Sequence, residues 1–364
     1  MLHCMNAFSS LAGAMMADGW PMARVMAGLS AVPISHAVDL AFFFPDEGRD
    51  RHDALIAETR RHLGGCVHAM EMALRLSLSH VPDVAAALDR VPDLLCWPTI
   101  LARPTLLAPG LLAHMRTRAG ISLLLRPSGQ PDVEGVGEGD VLLRMDEPAI
   151  GDSLSALMLA QMRWIATGGE DRPMRPDLPA EYFSDLLWSV AACLAAAAQR
   201  GEGEAADLLP AAFERSGWAL LADHDESASP IAEAERLVRR LGDRADSPDL
   251  MAGALEQRQF LLFAALAGRR VRLGAGQVAE LLVAGRPQQL AALCRVLGGS
   301  DSDFRRLLMA LQPARPSLGD GAMVALAEAY RAMGEQEAQA AIALLRTPAP
   351  FRAKLDHLSQ VAAA

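Results

Sequence analysis

The chain has 364 residues, of which 51% are hydrophobic, 21% charged and only 5% aromatic. That is too apolar for a disordered chain, and it asks for a core built largely from Leu, Ala, Val and Met, which suits closely packed helices. A formal net charge of -10 argues against a nucleic-acid binder, whose affinity comes mostly from phosphate neutralisation.

The five cysteines, Cys4, Cys66, Cys96, Cys193 and Cys294, are dispersed and none forms a CxxC pair. An odd count with no framework fits reduced thiols in a cytoplasm. The apolar run Leu186–Ala198 (LLWSVAACLAAAA) falls short of the roughly 20 residues a spanning helix needs, so no membrane association is expected. The apolar N-terminal stretch has no Lys or Arg before it and does not read as a signal peptide.

Residues 1–34 carry little periodic order, with Gly19, Pro21 and Pro33 as breakers. Ser35–Phe44 reads as a short helix closed by Pro45. A long helix is predicted from about Asp50 to Ser79, where Leu55, Ile56, Leu63, Val67, Met70, Leu74 and Leu78 recur at helical spacing. Gly64-Gly65 inside it predicts a kink or a close helix crossing. Shorter helices follow at Pro82–Val91, Asp93–Ala102, Ala108–Arg118 and Ile121–Leu125. Proline sets their limits, because it is accepted in a first turn but costs roughly 3 kcal/mol inside a helix.

Pro127–Asp140 (PSGQPDVEGVGEGD) is an acidic Gly/Pro-rich loop that divides the chain. Ile150–Thr167 is helical, Gly168–Pro179 reads as a second linker, and Ala180–Gln199 is apolar enough to sit in a core. Further helices are predicted at Ala205–Leu221, Pro230–Gly242, Asp249–Gly268, Gln277–Ala284, Gln288–Leu297, Asp301–Leu311, Gly319–Met333, Glu335–Arg346 and Pro350–Val361. Ser300 with Asp303 has the spacing of a helix N-cap. No convincing alternating strand pattern is present; Val141–Met145 is the one ambiguous piece.

Two segments carry a resemblance. Ile100–Arg126 (ILARPTLLAPGLLAHMRTRAGISLLLR) and Ala37–Ile56 (AVDLAFFFPDEGRDRHDALI) resemble the alphaproteobacterial family called domain of unknown function 2336. The C-terminal stretches LLVAGRPQQLAALCRVLGG and DFRRLLMAL are similar in style to that family's helical C-terminal region. The resemblance runs from about residue 37 to the end. Pro109 stands where the family has an acidic residue, and the acidic loop looks like an insertion. What the resemblance implies is a helical fold; it brings no catalytic residues with it.

Among polar constellations, Glu58, His62 and Cys66 stand at i, i+4 and i+8 of the long helix. One face could present all three, and carboxylate, imidazole and thiolate are zinc-ligand types. His68 lies on another side of that helix and cannot simply join them. The segment RRHLGG around His62 is faintly similar to the His-x-x-Lys-Gly segment of histidine phosphotransfer domains, with Gly where that motif wants a basic residue. Asp223-His224-Asp225-Glu226 is dense, but consecutive helical residues point apart. The acids Asp132, Glu134, Glu138 and Asp140 miss the EF-hand register, and the glycines between them make a poor dinucleotide loop. Gln288–Leu297 and Asp301–Leu311 have helix-turn-helix length, with Arg305 and Arg306 available to phosphate, but Asp301 and Asp303 at the would-be recognition helix oppose DNA. Met70, Met158 and Met162 fall at core spacing.

The sequence thus predicts an all-α chain of stacked short antiparallel helix pairs, either an irregular HEAT-like helical repeat or a multi-helix bundle. Its expected parts are a weakly organised segment 1–34, a helical bundle 35–126, the acidic loop 127–140 and a helical array 141–364. The function expected first is that of a non-catalytic cytoplasmic scaffold with a protein partner, binding no cofactor, nucleic acid or membrane. The alternatives are phosphotransfer through His62 and a metal-dependent enzyme using Glu58, His62 and Cys66.

Overall fold

The computed structural model describes residues 53–126, 147–165, 168–200, 208–315, 318, 320–348, 351, 352, 355 and 358. Among the described residues there are fifteen α-helices and no strand, so the fold is all-α. The expectations for residues 1–34, Ser35–Phe44, the acidic loop and Val141–Met145 fall outside the described residues.

The described residues form two compact units. One takes those up to Ala119 and those from 168 to Glu226; the other takes those of Gly120–Ile165 and those from Ser227 onward. This differs from the expected division at the acidic loop. The reason lies in residues 168–179: they supply carbonyls and a carboxylate to the buried His68 and Arg118, and so pack with the N-terminal helices rather than linking onward.

In unit 1, α1 (Asp53–Leu78) is the central element, followed by α2 (Pro82–Leu88), α3 (Cys96–Ala102) and α4 (Pro109–Leu125). The division between the units falls within α4, after Ala119. Leu63, Val67, Met70 and Leu74 of α1 share a core with Leu186, Leu187, Val190 and Leu194, which belong to α6 (Ala180–Gln199). Helix α7 (Leu209–Ala222) also packs on α1. Helix α1 runs unbroken through Gly64-Gly65. The close approach expected there is real, but its partner is an extended segment rather than a helix. A Cβ on Gly64 would stand 2.6 Å from the Glu170 carbonyl oxygen, and one on Gly65 would stand 2.8 Å from that of Arg172. Pro173, Pro176 and Pro179 keep that segment from coiling, since each lacks an N–H and biases the residue before it to extended backbone.

Unit 2 contains α5 (Pro148–Ile165), α8 (Pro230–Leu241), α9 (Pro248–Glu256), α10 (Phe260–Val271), α11 (Ala275–Ala284), α12 (Pro287–Val296), α13 (Asp301–Leu311), α14 (Asp320–Ala332) and α15 (Glu335–Leu345). Helix α10 is buried from Phe260 through Gly268, which its all-round apolar sequence demands. It packs against α8, α9 and α11, while α12 packs against α14 and α15. The single helix expected over Asp249–Gly268 is two: Arg258 adopts φ 57° and the Gln259 N–H bonds back to the Ala254 carbonyl at 2.8 Å. Serines start three of the helices. Ser229 and Ser247 accept from the Ala232 and Leu250 amides, and Ser300 accepts from Asp303 while donating its own amide to the Asp303 carboxylate at 2.8 Å. The Ser300 hydroxyl and then its amide, both donating to that carboxylate, hold the Asp303 carboxyl below its usual range.

Met70 is buried, as its spacing predicts, but Met158 and Met162 are more than half exposed. The core stripe of α5 is Ile150, Leu154, Leu157 and Trp164. Both methionines sit about 100° around the helix from it.

The space around two glycines of unit 2 gives a direct check. A Cβ on Gly120 would overlap a methyl of Val283, whereas one on Gly151 meets nothing within 4 Å. Gly120→Ala is expected to cost about 1–3 kcal/mol through overpacking, while Gly151→Ala stabilises by up to about 1 kcal/mol. Urea unfolding of the two variants measures both; equal effects would mean that α4 does not approach Val283 this closely.

Candidate functional site

The three residues singled out on α1 do share one face, and that face is turned wholly inward. Glu58 is 4% exposed, and His62 and Cys66 are fully buried. Glu58 Oε1 lies 3.0 Å from His62 Nε2. Arg118, on α4, donates from Nε to His62 Nδ1 at 2.8 Å, and its other nitrogens reach the Cys66 sulfur at 3.7 Å and the Arg175 carbonyl at 3.2 Å. The same guanidinium pairs with Asp177 at 2.8 Å, both side chains being fully buried. Arg61 binds both carboxylate oxygens of Glu58. The result is a chain of alternating charge, Arg61–Glu58–His62–Arg118–Asp177, sealed in unit 1.

The protonation pattern follows from donors and acceptors. Arginine keeps its protons, so the Arg118 bond obliges Nδ1 of His62 to accept. The one proton of a neutral imidazole must then sit on Nε2, facing Glu58. Burial lowers the His62 pKa to about 3, with Arg118 adding to the effect and the Glu58 hydrogen bond opposing it. Burial likewise raises the Cys66 thiol to about 11. His114, on α4, is also lowered to about 3 by burial and by Arg118. At neutral pH the site is a charged network threaded through a neutral imidazole and a protonated thiol.

This geometry bears on both chemical alternatives. Zinc needs a free imidazole lone pair, yet the Nδ1 lone pair is held by Arg118, and two guanidinium groups border the site. Among the described residues, no group of three or more His, Cys, Asp and Glu is arranged to hold a metal. A phosphoryl acceptor needs an exposed, unprotonated ring nitrogen. His62 presents neither nitrogen to solvent. The structure brings the three α1 residues together as parts of a packed polar core.

A second polar group lies farther along α1. The His68 Nδ1–H donates to the Glu170 carbonyl at 3.1 Å, and the Glu170 carboxylate receives Trp97 Nε1 at 2.8 Å and pairs with Arg60 at 3.0 Å. Glu71 accepts the Cys96 amide at 2.9 Å and so caps the start of α3. In the Asp223–Glu226 cluster the side chains do not converge. His224 donates to the Leu178 carbonyl and stacks on Phe183, while Glu226 accepts the Ala180 amide at the start of α6. Arg305 and Arg306, weighed for phosphate contact, are paired with Asp301 and Glu256.

The sequence missed Arg118, Glu170 and Asp177. Arg118 did leave a signal: it lies three residues after Met115 and seven after Leu111, on the buried stripe of α4. A charge on that stripe requires a buried partner. Nothing local identifies that partner as an aspartate in a proline-rich segment.

Unit 2 holds a cleft of about 690 Å³. Met251, Leu255, Phe263, Leu293, Leu297 and Leu307 line it, with Glu256, Arg258, Asp303 and Arg306 around them. Met309, on the α13 side, is 61% exposed. Among the described residues, no helix is long and apolar enough to cross a membrane.

Residues 170–343 match the family model described as an uncharacterised protein conserved in bacteria, domain of unknown function 2336. The match takes in the segment that carries Glu170 and Asp177 and most of unit 2. Comparison with curated proteins and with solved structures returns no match.

Two measurements test the buried network. In the unfolded chain His62 protonates near 6.5, while in the folded protein it stays neutral to about 3. The unfolded state therefore binds more protons across that window, and stability falls as pH drops from about 6.5. His62→Gln should flatten this dependence and lower proton uptake on unfolding by about one; an unchanged pH profile would show that His62 is solvated. Arg118→Met removes the buried cation that Asp177 faces, and is expected to cost about 3–5 kcal/mol. Arg60→Met breaks a pair whose side chains are 34% and 35% exposed, and should cost no more than about 1 kcal/mol. Denaturant titration ranks the two, and the reverse order would refute the burial of the Arg118–Asp177 pair.

Proposed function

We propose that this chain is a non-catalytic helical protein whose second unit binds the apolar face of an amphipathic helix from a partner protein. The cleft carries the reading. Its volume of about 690 Å³ falls in the range of formed binding pockets, and it has room for a few apolar side chains. Its walls come from α9, α10, α12 and α13, and helix grooves of this kind take anchors at i, i+3 or i+4, and i+7 of a bound helix. Leu255, Leu297 and the flexible Met251 and Met309 suit such anchors, methionine being adaptable at recognition surfaces. Carboxylates and guanidiniums around the cleft, Glu256 and Asp303 with Arg258 and Arg306, give a bound helix polar partners of both signs. A cytoplasmic setting belongs to the same reading, supported by Cys66, Cys96, Cys193 and Cys294 being free thiols.

The test uses a displayed library of helical peptides in which apolar residues occupy i, i+3, i+4 and i+7. Selection on the full chain should enrich such peptides, and Met309→Glu should weaken their binding at least tenfold, since burying one large apolar side chain contributes about 1.5–3 kcal/mol. Met162→Glu, on the exposed face of α5, should leave it unchanged. Absence of enrichment, or binding indifferent to Met309→Glu, overturns the proposal.

A further inference from the structure

Past α15 the chain turns into one more helical stretch. Phe351, Arg352, Leu355 and Leu358 are helical, and the Phe351 and Arg352 amides donate to the Pro348 carbonyl at 3.0 and 3.1 Å. Phe351, Leu355 and Leu358 stand at i, i+4 and i+7, within an arc of about 60° on one face. That face is open to solvent: Phe351 is 53% exposed, Leu355 38% and Leu358 63%. Single exposed apolar residues are ordinary. Three in this register are the anchors that a helix-binding groove takes. Two arginines hold the stretch to its own unit. Arg346 donates to the Val271 carbonyl at 3.0 Å, and Arg352 donates to the Leu345 and Thr347 carbonyls at 2.6 and 2.7 Å. The cleft of unit 2 is lined by residues between Pro248 and Pro313, and none of the three apolar anchors is among them.

We propose that Phe351, Leu355 and Leu358 of one copy of this chain seat in the cleft of a second copy, and that two copies exchange these helices across a two-fold axis. This rests on the reading of the cleft as a helix groove, and it names the occupant. The lengths match. Phe351 to Leu358 is a rise of about 10 Å along a helix. Along the cleft, Phe263 and Arg270 of α10 are also seven residues apart, and so are Asp303 and Ala310 of α13. The chemistry matches as well, since the walls that would receive the three anchors are Met251, Leu255, Leu297 and Leu307. The arginine bonds keep the helix outside the cleft of its own chain, so the cleft that takes it belongs to another copy. Each copy carries one helix and one cleft, and a two-fold pair uses all four, with the same surface on both sides. A handful of buried central anchors carries most of the affinity of an interface. The exchange buries three from each copy.

The experiment measures the mass of the full chain in solution by light scattering over a wide range of concentration. The mass should rise from one chain to two. Met309→Glu damages the cleft and Leu358→Glu damages the helix, and each should weaken pairing about tenfold or more. Both native side chains are exposed, at 61% and 63%, so circular dichroism should show both variants folded. Mixed together, the two variants should pair with each other better than either pairs with itself, because one intact helix then meets one intact cleft. Met162→Glu should pair as the native chain does. A chain that stays monomeric at every concentration overturns the proposal, and so does pairing indifferent to Leu358→Glu or to Met309→Glu. Binding of the selected helical peptides to the Leu358→Glu variant separates two failures. If the native chain is monomeric and the peptides bind, the second copy is the wrong occupant and the reading of the cleft stands. If they do not bind, both fall.

Discussion

Unit 1 depends on one buried guanidinium. Arg118 is fully buried, and every direction of its planar fork is used: Asp177, His62, the Arg175 carbonyl and the Cys66 sulfur all meet it. A charge taken out of water costs several kcal/mol unless it is paired and hydrogen-bonded throughout. That condition fixes α1, α4 and the segment 168–179 at once, because each supplies part of what the guanidinium requires. The glycines of α1 are the steric side of the same constraint. Only residues without a Cβ let the backbone of 170–174 come close enough for Met174 to donate to the Gly65 carbonyl at 2.9 Å and for Glu170 to reach His68.

Such a network confers precision more than stability. Apolar residues of similar volume could fill the same space at no loss of free energy. What they would not do is specify a single position for an extended strand of backbone with no helix or sheet to hold it. Segment 168–179 makes few regular hydrogen bonds of its own, so its conformation is set by the side chains it answers. Unit 2 follows another logic. Its packing rests on an almost wholly apolar α10 and on short helices started by serine or proline.

The helical pattern was legible because period and punctuation agree. Prolines and cap serines mark helix starts, and the structure places α2, α8, α9 and α12 where they mark them. The break at Arg258 was not legible, since a left-handed residue flanked by glutamines carries no glycine to announce it. Met158 and Met162 misled because spacing alone does not say which of two adjacent stripes is the core. The polar residues of α1 were legible as a shared face but not as a buried one. Glu58, His62 and Cys66 carry the periodicity of a ligand set, while the residues that determine their state, Arg118 and Asp177, are 52 and 111 positions from Cys66 along the chain. Chain-distant partners of that kind leave no local periodic signal.

The contrast between the units also separates chemistry from recognition. Catalytic acid–base groups need perturbed pKa values together with access to a reacting atom. In unit 1 the perturbation is present and the access is missing: the His62 imidazole, whose pKa burial lowers to about 3, has both nitrogens engaged within the protein. In unit 2 the access is present, in a cleft whose wall is largely leucine, methionine and phenylalanine, with its charges around them. In the proposed binding, an apolar wall next to Arg306, itself paired with Glu256, supplies affinity through desolvation and orientation through rearranged ion pairs. That combination suits binding another polypeptide better than bond-making.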